Sequence, residues 1–346
     1  MIKRRRIFAI IVVILGLFSL IVMTGCDSLG MNPPGGIPIR AGDNNNNGNS
    51  GSTEVPRPSQ TEGENPDTGI VAQPIVEMPE ILVPTASGIA VEENGQAIVD
   101  FSNKQDGYIM AKFLESTDMK VKILITGPDG MQYQYTLRPN RDFEVFPLSV
   151  GNGVYEIGVF KQVEGTRYSM VLSMTIDVIL VDEFAPFLRP NQFVNFNQDS
   201  NAVKKAAELV AGADTFMDKV GAIYHFVITN IEYDVHLAET VQTDYLPEID
   251  RILASGKGIC FDYAALMAAM LRSQGIPTKL VIGYTGDVYH AWISVYSKED
   301  GWLDDVIFFD GSTWRLMDPT FAASGSSAAV AQYIGDGTNY VVRFIH

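Results

Sequence analysis

The sequence predicts an α+β fold preceded by an antiparallel β-sandwich, and three observations carry the prediction. Over residues 86–182 apolar side chains recur with a period of two, in short runs punctuated by turn residues. From residue 195 the pattern is helical first and strand-like afterwards, the order of an α+β domain. The chain has 346 residues, of which 46% are hydrophobic, enough for about two cores of ordinary size.

The N-terminus reads as an export signal over residues 1–26. Lys3, Arg4, Arg5 and Arg6 precede the apolar run Ile7 to Met23, and Thr24-Gly25-Cys26 follows. Small residues before a cysteine resemble the lipobox of bacterial lipoproteins, in which this cysteine, here Cys26, is acylated. Met23 stands where leucine is usual in that motif. The run is also at the short limit for a spanning helix, so an uncleaved signal anchor is the alternative. Both readings place the rest of the chain outside the cytoplasm, held at the cell membrane.

Residues 27–85 read as a disordered linker of Asn, Gly, Pro and Ser, with a coil reach of roughly 40 Å. Asp43-Asn44-Asn45-Asn46-Asn47-Gly48 with Glu54 formally fits a calcium-loop pattern. No helical pattern flanks it and Ser50 sits where an aliphatic residue is usual, so an asparagine tract explains it and no metal site is assigned.

Within the sandwich region, Val121–Thr126 and Met131–Leu137 flank the turn Gly127-Pro128-Asp129-Gly130 as a hairpin. Gly151-Asn152-Gly153 leads into a strand over Val154–Phe160, and Tyr168–Met174 alternates in part. The region shows no titratable cluster, which suits a spacer or docking module. After the connector Phe184–Pro190, Thr215 with Asp218 reads as a capping-box variant. Val220, Ile223, Tyr224, Val227 and Ile231 then recur at helical spacing. A short helix is predicted over Pro247–Ala254. Strands are predicted over Thr278–Tyr284, Tyr289–Tyr296, Val306–Phe309 and Trp314–Asp318.

The charge balance excludes one class of partner. Removing the four N-terminal basic residues from the 25 in the chain leaves 21 against 41 acidic ones, a net charge of −20. Such a surface repels nucleic-acid phosphates. The chain has two cysteines. A disulfide between Cys26 and Cys260 needs the thiol that acylation of Cys26 would consume. Cys260 is then a lone thiol in an oxidising compartment, which reactivity would explain.

Cys260 follows the glycine-rich loop Ser255–Gly258 and opens the run Phe261–Gln274, rich in Ala, Leu and Met, which reads as a buried helix ended by Gly275-Ile276-Pro277. Unpaired N–H groups and the dipole at a helix start favour a thiolate, so Cys260 is the candidate nucleophile. A thiolate needs a base, and the base an orienting group. His290 lies in the strand hairpin just downstream. His225 falls off its helix's apolar stripe, His236 sits in a polar loop, and His346 is the last residue. Asp318 is the candidate orienting acid, with Asp304 and Asp305 as competitors.

These blocks carry a resemblance. Gly256-Lys257-Gly258-Ile259-Cys260-Phe261-Asp262-Tyr263-Ala264, His290-Ala291-Trp292 and Trp314-Arg315-Leu316-Met317-Asp318-Pro319-Thr320 stand in the order found in the transglutaminase-like superfamily. Cys260 and His290 are 30 residues apart, His290 and Asp318 are 28 apart, and the resemblance covers about residues 195–325. The segment Gly301–Asp310 is longer than the usual turn between the last two blocks. The resemblance implies a papain-like cysteine-protease fold over residues 195–346 and a Cys260–His290–Asp318 triad performing acyl transfer without a cofactor. It implies protein or peptide amides at the cell surface as substrates, with an amine or water resolving the thioester. It also implies an oxyanion site made of the cysteine N–H and an upstream side chain, for which Tyr233 is a candidate. Trp292 and Trp314 read as packing residues of the site walls, and Asp262 carries no catalytic assignment. A cysteine peptidase or deamidase is the alternative enzyme, and a non-catalytic surface binding module the alternative of another class.

Overall fold

In the computed structural model the structure describes residues 76–139, 142–286, 288–304, 308–309, 314–315 and 340–346. The expected export signal with Cys26, the asparagine tract, Asp305 and Asp318 lie outside the described residues. Pro79–Thr85, expected as the end of the linker, lie along the fold. Ile81 is buried, its N–H donates to Gln198 Oε1 at 3.3 Å, and the Thr85 N–H donates to the Tyr108 hydroxyl at 3.1 Å.

Eight strands come first: β1 (Val91–Glu93), β2 (Ala97–Asp100), β3 (Tyr108–Phe113), β4 (Val121–Thr126), β5 (Gln132–Thr136), β6 (Glu144–Pro147), β7 (Gly153–Glu164) and β8 (Arg167–Val178). They form two antiparallel sheets, β1-β2-β3-β6 and β5-β4-β7-β8. Alternation decides which side of each strand is inside: along β4, Val121, Ile123 and Ile125 are buried and the residues between them are not. Val99, Ile109 and Phe113 from one sheet share a core with Ile123, Ile125 and Ile157 from the other. The predicted hairpin closes with Thr126 opposite Gln132, and Gly130 supplies the left-handed residue of its turn (φ 78°).

The helices α1 (Asn201–Val210), α2 (Phe216–Asn230), α3 (Val235–Thr240), α4 (Ile249–Ser255) and α5 (Cys260–Ser273) follow, with β9 (Glu232–Tyr233) and β10 (Lys257–Gly258) between them. Thr215 caps α2 as predicted: its hydroxyl accepts the Asp218 N–H at 3.1 Å, and the Asp218 carboxylate accepts the Thr215 N–H at 3.2 Å. The start of α1 is capped from elsewhere, by the Asp250 carboxylate on α4, which accepts the N–H groups of Asn201 and Ala202 at 3.0 Å.

Every residue of α5 is buried. The helices α1, α2 and α4 pack against it, as do β11 (Thr278–Thr285) and β12 (Val288–Ser297). Gly275 ends the helix with φ 73°. The sheet continues through β13 (Gly301–Leu303) and β16 (Tyr340–Ile345) in the order β13-β12-β11-β16, while β14 (Phe308–Phe309) pairs with β15 (Trp314–Arg315).

The two halves meet around the end of β16. The Arg272 guanidinium, fully enclosed at the end of α5, donates to the main-chain oxygens of Thr278, Arg189 and His346 at 2.7–2.9 Å. Burial pushes it down to about 9. The His346 ring, edge-on to Tyr133, Tyr135 and Phe193, bonds the Tyr135 hydroxyl through Nδ1 at 3.0 Å. Burial, then the nearby Arg272 charge, pushes its imidazole down to about 3.

Candidate active site

The glycine-rich loop has a stated job at each glycine. Gly256 ends α4 in the left-handed region (φ 63°). Gly258 lies so close to Asp262 that an added Cβ would sit 2.6 Å from the Asp262 Cβ. Between these glycines the chain runs as β10, parallel to β9, with Gly258 opposite Tyr233. The Asp234 N–H donates to the Gly258 carbonyl at 2.9 Å. This pairing brings Tyr233, half-buried, to a register position two residues before the cysteine.

Cys260 opens α5 as its first helical residue, is 7% exposed and carries a free thiol. The first turn of a helix has N–H groups without intrahelical acceptors, so an anion forming there meets donors already aimed at it. Ile259, extended at the helix start, has no side-chain acceptor; the Asp262 carboxylate closes the turn by accepting the Ile259 N–H at 2.9 Å. Asp262 is fully buried, and burial pushes its carboxyl upward against the hydrogen bonds from Tyr245 and Ile259 and the charge of Arg251.

β12 supplies the histidine. His290 is 4% exposed and stands opposite Gly283 of β11. Its ring lies nearly parallel to that of Trp292, at 21° and 6.2 Å between centroids, and Tyr340 of β16 meets Trp292 edge-on at 5.0 Å. Successive strand residues project to opposite faces, so the neighbouring Tyr289 points away from this cluster. Tyr289 packs against Tyr284 at 5.4 Å between ring centroids. Burial raises its phenol well above the usual range, with the charges of Tyr284 and Cys260 adding to the rise.

Of the sequence-predicted residues, the structure places Cys260 and His290 on two packed elements, α5 and β12. Asp318 lies outside the described residues. The competitor Asp304 is exposed and pairs with Lys279 at 3.8 Å. His225 and His236 are exposed, and His346 belongs to the junction between the two halves. The sequence reading missed Tyr289 and Tyr245; the first was legible only as the neighbour of His290, the second only through its contact with Asp262.

The family model described as the transglutaminase-like superfamily matches residues 203–304. A human protein named kyphoscoliosis peptidase is 27% identical over 117 residues, covering 34% of this chain and 17% of its own. A protein-glutamine gamma-glutamyltransferase of Pseudomonas aeruginosa is 34% identical over 68 residues, 16% of this chain and 10% of its own. The chain thus spans less than a fifth of the length of these relatives. Among solved structures, a candidate cysteine protease from Cytophaga hutchinsonii covers 69% of this chain and 83% of its own at 19% identity, with a TM-score of 0.36.

Proposed function

We propose that the chain is an extracytoplasmic thiol acyl-transfer enzyme acting on protein amide groups, a reading supported by the match of the transglutaminase-like superfamily model to residues 203–304. The observation that carries the reading is a free, enclosed cysteine at the first position of a buried helix, packed against the strand that bears a buried histidine. In the proposed reaction the Cys260 thiolate attacks a glutamine carboxamide or a peptide amide. The carbon–nitrogen bond breaks, and His290 delivers the proton that lets ammonia or an amine leave. The resulting thioester is resolved by a lysine amine, giving an isopeptide bond, or by water, giving a carboxylate; either step returns the thiol. Asp318 holds the imidazole in the tautomer this sequence needs. The N–H groups at the start of α5 stabilise the oxyanion, with Tyr233 as the side-chain candidate beside them. Acylated Cys26, or an uncleaved anchor, holds the enzyme at the outer face of the membrane, where surface proteins are its substrates.

Iodoacetamide labelling of Cys260, read by mass spectrometry of its peptide, tests the nucleophile. Labelling at pH 7 is expected to be faster than that of free cysteine, to slow at least tenfold in His290→Ala, and to change little in Tyr289→Phe. A rate equal to free cysteine in all three proteins refutes the reading. A glutamine peptide with a labelled amine then separates the outcomes: label incorporation marks a transferase, ammonia alone a deamidase, and chain cleavage a peptidase.

A further inference from the structure

Asp262 is a buried titratable group two residues from the thiol for which the proposed reaction has no use. Its position is awkward: a carboxylate in the first turn draws on the same N–H groups that would hold a thiolate, and its charge repels that thiolate. The structure shows how the charge is occupied. One oxygen accepts the Ile259 N–H at 2.9 Å. The other accepts the Tyr245 hydroxyl at 2.6 Å and lies 3.9 Å from the Arg251 guanidinium, which itself donates to the Tyr245 oxygen at 2.5 Å. Tyr245 comes from the loop before α4 and Arg251 from α4, so the start of α5 is tied to a separate element. Gly258 is what admits the carboxylate, since a side chain there would collide with Asp262.

We infer that Asp262, Tyr245 and Arg251 form a positioning unit for Cys260: the carboxylate fixes the helix start, and the phenol and guanidinium keep its charge from suppressing the thiolate. The inference rests on the reading of Cys260 as the nucleophile. Other charged or titratable groups border the site. Asp234, on the α3 side, opposes the charge on Asp262. Glu232 and Lys257 pair with each other at 3.6 Å on β9 and β10, and Tyr289 and His290 lie on β12. Among the described residues Arg251 is the cation that reaches the Asp262 carboxylate.

The test is the pH profile of Cys260 alkylation in the full chain, which needs no substrate. Arg251→Gln removes the cation, so the profile's midpoint is expected to rise and the rate at pH 7 to fall about 3- to 10-fold, a shift of up to one pH unit. Tyr245→Phe is expected to shift it the same way by less. Asp262→Asn keeps an oxygen for the Ile259 N–H and removes the charge, so its midpoint is expected to fall. The Asp262→Asn/Arg251→Gln pair is expected to return towards the wild-type value. A role confined to stability would lower the melting temperature and leave all midpoints alike. Should Asp262→Asn fail to fold, Tyr245→Phe and Arg251→Gln, nearer the surface, carry the test. With a reactive wild-type protein, a midpoint that stays unchanged or falls in folded Arg251→Gln, or that rises in folded Asp262→Asn, overturns this inference alone. An inert thiol in wild-type protein overturns the nucleophile reading and this inference with it.

Discussion

Gly283→Ala puts a single methyl group where the sheet behind His290 is tightest. Gly283 is the register partner of His290, and the β11–β16 pairing shifts between Ile282 and Gly283. A Cβ at this position would lie 2.0 Å from the Val341 carbonyl oxygen and 2.9 Å from the Trp292 ring. Cβ atoms essentially never approach below 3.0 Å, so β16 would have to move by about 1 Å, and the obstacle is backbone that no rotamer change relieves. Overpacking of this kind costs about 1–3 kcal/mol, and loosening two ladder bonds adds roughly 0.5–1.5 kcal/mol each, for a total of about 2–6 kcal/mol. The expected fall in melting temperature is on the order of 4–8 °C at the lower end of that range. Guanidinium denaturation followed by near-UV circular dichroism measures the change directly. A loss below about 1 kcal/mol would refute the packing argument, since it would require β16 to shift at almost no cost.

Other substitutions follow from the same contacts. Gly221→Ala, inside α2 with nothing within 4 Å of the added carbon, is expected to stabilise by about 0.5–1 kcal/mol in the same denaturation assay. Thr215→Ala removes the cap of α2 and is expected to cost about 1 kcal/mol, with Thr215→Ser restoring most of it. For His346 the fold favours the neutral ring, with a folded value of about 3 against about 6.5 in the unfolded chain. Its contribution is complete above pH 6.5 and is lost as the pH falls towards 3, by several kcal/mol at most. Comparing unfolding at pH 7 and pH 4 in wild type and His346→Phe measures this, and the variant is expected to show the shallower loss.

Much of this protein was legible in its sequence because the relevant physics is local. The α5 helix, its glycine stop, the capping box at Thr215 and the hairpin around Gly127–Gly130 each depend on residues within a few positions of one another. The same locality made Cys260 conspicuous at a helix start and put His290 in the next hairpin. The tertiary structure decided what depends on partners distant in sequence. The cap of α1 comes from Asp250, 48 and 49 residues away, and β16, unassigned in the sequence reading, is held by pairing with β11 and by Arg272. His346 looked like a chain end and is a buried ring among Tyr133, Tyr135 and Phe193, because the two halves close around it. Asp262 read from sequence as an acid at a helix start, with no catalytic role. Its occupied charge depends on Tyr245, 17 residues away, and on Arg251 from another helix. Local propensity selects the elements, and burial of charges and sheet edges selects which distant groups must meet to satisfy them.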